Sequence, residues 1–307
     1  MVRKAVLVLV LVSSVAAPAA AADGPMFAMQ GGPGVVTRDG SVRYVTIGAY
    51  ASSVLEAVRT SDGMPMNWRQ VRGGWGIPQI GQVGDGLSRD GRTLVLAEPG
   101  PRSQTTFLLL DPKTMRIRDR LRLHGTFSFD AFSPDARRLY LVEYRGGTID
   151  HYVVRAYDLA AGRLLPGRIA DRTQRGWVMQ GMPVTRTTSS DGRWVYTLYS
   201  NPGGYAFVHA LDTVRGVAHC VGVPLEFQNT IYNLRLGLDS GLLRLDWKGT
   251  RPFVQIDTTT WRLSYPHPAE GRGWTWPAVA GAALLAAALA LGAWRLRPRR
   301  APLPASV

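Results

Sequence analysis

The chain has 307 residues, 46% of them hydrophobic and 19% charged, with 36 Lys and Arg against 22 Asp and Glu for a formal net charge of +14. That balance is globular and excludes a disordered or collagen-like chain. Cys220 is the sole cysteine, which excludes an intramolecular disulfide framework, so stability must come from a packed core.

At the start, Arg3 and Lys4 precede the apolar run AVLVLVLV and the small-residue stretch SSVAAPAAAA. This order predicts a signal peptide over residues 1–22, cleaved before Asp23, and an exported body over residues 23–266. The body opens with MQGGPG, Met29–Gly34, and a related phrase, MQGMPV, returns at Met179–Val184.

Between and beyond these copies runs a longer repeat. TRDGSVRYVTIG, SRDGRTLVLAEP, SPDARRLYLVEY and SSDGRWVYTLYS each set a polar turn before a run of β-branched and aromatic residues, and GLDSGLLRLDWK is a weaker fifth copy. The marker aspartates, Asp39, Asp90, Asp135, Asp191 and Asp239, stand roughly 45 to 56 residues apart, the period of a four-stranded propeller blade. A second turn follows in each repeat at Thr60, Asp111, Asp158, Asp212 and Asp257, which read as turn formers and not as catalytic carboxylates. Asp-Gly suits a tight turn because Gly accepts positive φ while Asp bonds nearby amides. Ala136 replaces that Gly in the third repeat and Ser240 is inserted in the fifth, so those two turns are expected to be irregular.

FSPDARRLYLVEY, LSRDGRTLVLAEP and TSSDGRWVYTLYS resemble the WD40-like repeats of TolB-type and YVTN-type β-propellers. The resemblance spans roughly residues 26 to 266. It implies an all-β fold, a β-propeller of about five four-stranded blades, and leaves function open among partner binding, ligand capture and lactone hydrolysis.

Residues 267–273 form a short stalk. After it, GWTWPAVAGAALLAAALALGAW, Gly273–Trp294, carries no charged residue, which predicts one C-terminal transmembrane helix over residues 274–294. Trp274, Trp276 and Trp294 bracket it as interfacial anchors. Arg295, Arg297, Arg299 and Arg300 open a basic tail over residues 295–307 and place the C-terminus inside, so the chain is expected at the cell membrane as a single-pass protein with its propeller outside the cytoplasm. Lysine occurs only at Lys4, Lys113 and Lys248, a bias toward Arg in keeping with a GC-rich bacterial genome.

There is no Gly-x-Ser-x-Gly elbow, and His124, His151, His209, His219 and His267 show no metal-ligand spacing, so no catalytic residue, metal or cofactor is expected. Cys220 lies in the strand-like VAHCVGV and reads as an inert buried thiol. The glycine-rich GGWGIPQIGQVGDG lacks Walker and dinucleotide signatures and reads as a blade connection. Dispersed arginines without stacking aromatics argue against nucleic acid as a partner.

One register points to a site. Eleven residues before their marker aspartates stand Gln79, His124, Gln180 and Gln228, while Gln30 lies nine before Asp39. Connections between blades converge on one face, which predicts a ring of these polar side chains at the channel mouth, edged by Trp75 and Trp177 and by Phe127, Phe129, Met179, Met182, Phe227 and Tyr232. Carboxamides there either satisfy loop backbone or read a protein, peptide or cell-envelope component. Two other readings stand beside this one: a lactonase-like hydrolase whose mouth metal is held by Asp130, Glu226 and Asn229, and a structural envelope protein whose arginines hold anionic polymer.

Overall fold

Four of the marker turns close in the same way. Thr37, Ser88, Ser133 and Ser189 each donate a side-chain hydroxyl to the aspartate two residues on, at 2.5–2.6 Å. That aspartate accepts the amide two residues beyond it, from Ser41, Arg92, Arg137 and Arg193, and the hydroxyl accepts the amide five residues on. Both side chains therefore satisfy turn amides that would otherwise need water, and each turn launches a strand.

The computed structural model describes residues 27–266 except 82, 148–150, 172, 174–178, 202–203, 226–227 and 249–250. Blade one is β1 (Val35–Val36), β2 (Val42–Ala49), β3 (Ser52–Arg59) and β4 (Pro65–Arg72). Blade two holds a small hairpin, β5 (Gln79–Ile80) with β6 (Val83–Gly84), and the sheet β7 (Leu94–Ala97), β8 (Gln104–Leu110) and β9 (Ile117–His124). Blade three is β10 (Thr126–Phe132), β11 (Arg138–Tyr144), β12 (Tyr152–Asp158) and β13 (Arg163–Leu164). Blade four is β14 (Met182–Thr188), β15 (Trp194–Ser200), β16 (Ala206–Asp212) and β17 (Val217–Val223). A 3-10 helix, Gln228–Asn233, leads into blade five: β18 (Leu234–Asp239), β19 (Leu242–Trp247), β20 (Arg251–Asp257) and β21 (Leu263–Ser264). Strands pair antiparallel in chain order within every sheet.

Alternation along the strands builds the cores between blades. In β7, Leu94 and Leu96 join the cluster shared with blade one, whereas Val95 and Ala97 join the cluster shared with blade three. In β16, Val208 and Ala210 face blade five while Phe207 and Leu211 face blade three. Blades two, three and four are thus covered on both faces, which is why their strands read as nearly continuous apolar runs. Among the described residues no cluster joins blade five to blade one. Blade one instead leaves Val36, Ile47 and Trp68 exposed, Trp68 at 63%, and blade five carries Arg244 beside Asp239 and Asp246 on its outer sheet face.

The two irregular turns resolve differently. Ala136 keeps the common pattern by adopting φ 54°, close to the 66–77° of Gly40, Gly91 and Gly192. Asp239 pairs directly with Leu242, so blade five turns on Ser240 and Gly241 alone, both at positive φ. The second turns also behave as read from the sequence: Asp111, Asp158, Asp212 and Asp257 each accept two backbone amides. The predicted signal peptide, stalk, membrane helix and tail lie outside the described residues, among which no helix is long and apolar enough to cross a membrane.

Candidate functional site

The innermost strands surround a central channel, and blade two departs from its neighbours there. Gly76 bridges to Ala97 and Leu87 to Leu94, so both ends of an innermost strand are in place. Between them the chain leaves the sheet as the hairpin β5–β6 and enters the channel. GGWGIPQIGQVGDG is therefore more than a connection. A Cβ built on Gly81 would stand 1.8 Å from the Val184 carbonyl oxygen, and one on Gly84 would stand 1.7 Å from that of Gly34, so only glycine lets the hairpin lie against β14 and the start of β1.

Beside the hairpin, Arg186 of β14 is the hub of a buried network. Its Nε donates to Thr197 Oγ1 at 3.0 Å, Nη1 to Asp85 Oδ2 at 3.0 Å and to the Asp130 carbonyl, and Nη2 to Asp130 Oδ1. A register shift between Phe129 and Ala131 places Asp130 at a bulge, which aims its carboxylate into the channel. Arg186 and Asp130 are each 2% exposed. Burial opposes the charge on Arg186, but Asp130 and Asp85 outweigh it and hold the guanidinium's pKa above its usual value. Burial also raises the pKa of Asp85 despite the pull of Arg186.

Between blades three and four the interface is aromatic and polar. Tyr144, Tyr152 and Tyr199 stand in series with ring centroids 5.7 and 5.8 Å apart, and burial raises the pKa of all three, so they remain neutral phenols. His209 lies edge-on to Tyr199 and places Nδ1 3.4 Å from Cys220 Sγ. Burial lowers the His209 pKa to about 4 and pushes Cys220 up to about 12, so the thiol is held away from the reactive thiolate.

Among the described residues, those expected to form a mouth ring do not assemble. Gln30 and Gln180 act as braces at the loop face: Gln30 Nε2 donates to Ser53 Oγ at 2.6 Å, and Gln180 Nε2 to Asn201 Oδ1 at 3.0 Å. Gln79 sits on the channel hairpin, buried, with its Nε2 against Gly32. His124 ends the outer strand β9 and is exposed far from the axis. Trp75, expected at the rim, is 4% exposed in the core between blades one and two, with Nε1 donating to the Arg72 carbonyl at 2.7 Å. Phe127, Phe129 and Met179 are likewise turned into inter-blade clusters by strand alternation. Trp177, Glu226 and Phe227 lie outside the described residues. Gln228 and Asn229 stand on the 3-10 helix, with their side chains outside the described set. Asp130, the described member of the suggested metal set, is engaged by a guanidinium, and no group of three His, Cys, Asp or Glu converges among the described residues.

Consecutive sheets that share cores in chain order, with innermost strands around one channel, decide the architecture. The fold is that of a β-propeller. No protein-family model matches the chain, and no curated protein does. Solved structures similar to it include hydrazine synthase of Kuenenia stuttgartiensis, at 17% identity and a TM-score of 0.45 over 73% of this chain and 63% of that one. TolB of Acinetobacter baumannii follows at 14% identity and a TM-score of 0.44, over 76% of this chain and 52% of that one. The β-propeller domain of Cps50 (Swd1) from Myceliophteria thermophila gives 12% and 0.46, over 80% and 74%. The chain therefore spans less than two-thirds of the first two, and the likeness is one of fold alone.

The propeller's two ends differ in what they expose. At the loop end, Tyr50 in the β2–β3 turn is fully exposed, Tyr205 before β16 is 68% exposed, and Tyr232 on the 3-10 helix is 48% exposed. Only Tyr232 belonged to the expected rim. A signal for the other two was present in sequence, since GAYAS and NPGGYAF each set a tyrosine among small turn residues at a strand end.

Proposed function

We propose that this chain is a binding module: a propeller set outside the cytoplasm, tethered by the span over residues 274–294, that recognises a protein, peptide or cell-envelope component through its loop face. The observation that supports this reading is the exposure of Tyr50, Tyr205 and Tyr232 on loops at that one end. Tyrosine brings large contact area at low entropic cost and a hydroxyl that tolerates a wet rim, the properties that enrich it at recognition surfaces. Gln30 and Gln180 support the same face from beneath by bracing the connections into β1 and β14 to Ser53 at the start of β3 and to Asn201 in the β15–β16 loop.

The test is photo-crosslinking in the native cell, with the reactive amino acid placed at Tyr205 on the loop face and, for comparison, at Val214 on the turn face. A discrete adduct from position 205 that is absent from position 214 is expected. Its loss in a Tyr50→Ala, Tyr232→Ala background would assign the contact to the loop tips. Equal adducts from both positions, or none from position 205, would overturn the reading.

A further inference from the structure

The opposite end of the channel holds a site of another kind. In the turn motif hydroxyl-x-Asp-Gly, the x position is Arg38, Arg89, Pro134 and Ser190 in blades one to four, and all four residues line one cavity of about 410 Å³. The register of the repeat therefore delivers one residue from each of four blades to the same opening. Arg38 Nη2 donates to the Ser190 carbonyl at 3.2 Å, and Arg89 Nη1 donates to the same oxygen. Two guanidiniums from different blades thus cross the mouth and converge on one neutral acceptor. Neither has a carboxylate within 4.0 Å among the described residues; Asp191, next to Ser190, accepts from Ser189 and Arg193 and feels the Arg89 charge only through space.

Above the mouth, Val35, Val83, Phe132 and Val195 supply apolar wall, and the channel hairpin closes the far end with Asp85 on Arg186. The volume lies in the range that encloses a small molecule. We infer that this cavity binds a small phosphate ester, with Arg38 and Arg89 clamping the phosphate and the apolar wall holding the organic body. A guanidinium offers five donors in a fixed fork, and two forks straddling one point exceed what a single carbonyl accepts. A carboxylate exhausts both oxygens on one fork, whereas a phosphate has three oxygens and up to two negative charges for both. The Ser190 carbonyl holds the two side chains in place until the stronger acceptor displaces it.

Titration of the purified full chain with phenyl phosphate, followed by calorimetry, tests this. Saturable binding is expected, weakened by about tenfold or more in Arg38→Ala/Arg89→Ala, the scale of one lost charge-assisted contact. Both side chains are exposed, so the double variant should keep the wild-type unfolding midpoint without ligand. Flotation with vesicles of phosphatidic acid against phosphatidylcholine distinguishes the source of the phosphate: capture by the former that depends on both arginines supports a lipid headgroup. No binding to either probe, binding that the double variant retains, or benzoate binding as tightly as phenyl phosphate would overturn the inference.

Discussion

At the turn face, Thr37, Ser88, Ser133 and Ser189 repeat one hydrogen-bond pattern in four blades, whereas at the loop face corresponding connections bond differently. Met29 bridges forward to Ile77 of blade two and is exposed; Met179, in the second copy of the same phrase, bridges back to Tyr152 of blade three and is buried. The contrast separates two tasks. Turn amides are satisfied by side chains a few residues away, so those turns fold from local sequence and can vary at their x position without cost. Loop connections are fixed by contacts with other blades, and what they leave exposed is free to serve recognition.

Between the two faces stands the channel network, where the largest effect is expected. Arg186→Met removes the guanidinium that donates to the Asp130 carboxylate and leaves a buried charge uncompensated, a loss of about 3–5 kcal/mol. Urea unfolding monitored by circular dichroism checks it. A loss no larger than that of an exposed arginine such as Arg137→Met would show that the channel does not hold blades two, three and four together.

A smaller effect separates the channel side of the molecule from both faces by pH. His209 takes up a proton in the unfolded chain below its usual 6.5, but in the fold only near 4. Its contribution is therefore fully present above about pH 6.5 and is lost as pH falls toward 4, amounting to about 3 kcal/mol. The turn aspartates, with Asp39 lowered to about 2 by Thr37 and Ser41, give up their contributions only at lower pH. Asp85, raised by burial, acts with the opposite sign above 3.8. Comparing wild type with His209→Phe across pH 4 to 7 isolates the histidine: the variant should lack the decline, and parallel profiles would refute the assignment.

How much of this was legible in the sequence follows the same division. The turns were, because Ser-x-Asp-Gly before an apolar run encodes its own hydrogen bonds, and the all-β architecture came with them. Trp75, Phe127 and Phe129 were not, because they sit on faces that neighbouring blades cover, and the local alternation does not say which blade packs against which face. Counting back from the aspartates located Gln30 and Gln180 at the loop face but misplaced Gln79, because the register assumes an uninterrupted innermost strand and blade two leaves its sheet at the hairpin β5–β6. Arg38 and Arg89 were visible inside the repeat all along, yet their meeting point on Ser190 depends on how blades one and two approach blade four, which no local pattern carries.

The smallest expected effect tests the turn face alone. Ala136 adopts φ 54° where three sister turns use glycine, and its Cβ makes that conformation costly by about 1–2 kcal/mol. Ala136→Gly relieves this strain but enlarges the freedom of the unfolded chain, an opposing change of about 0.4–1 kcal/mol. The balance is a net stabilisation of about 0.5–1 kcal/mol, visible as a rise in Tm of about 1–3 °C. Because Ser133 and Asp135 already bond the turn amides, nothing else need change. A lowered Tm would mean that blade three uses the rigidity of Ala136 more than the ease of glycine, and the four turns would then not be energetically alike.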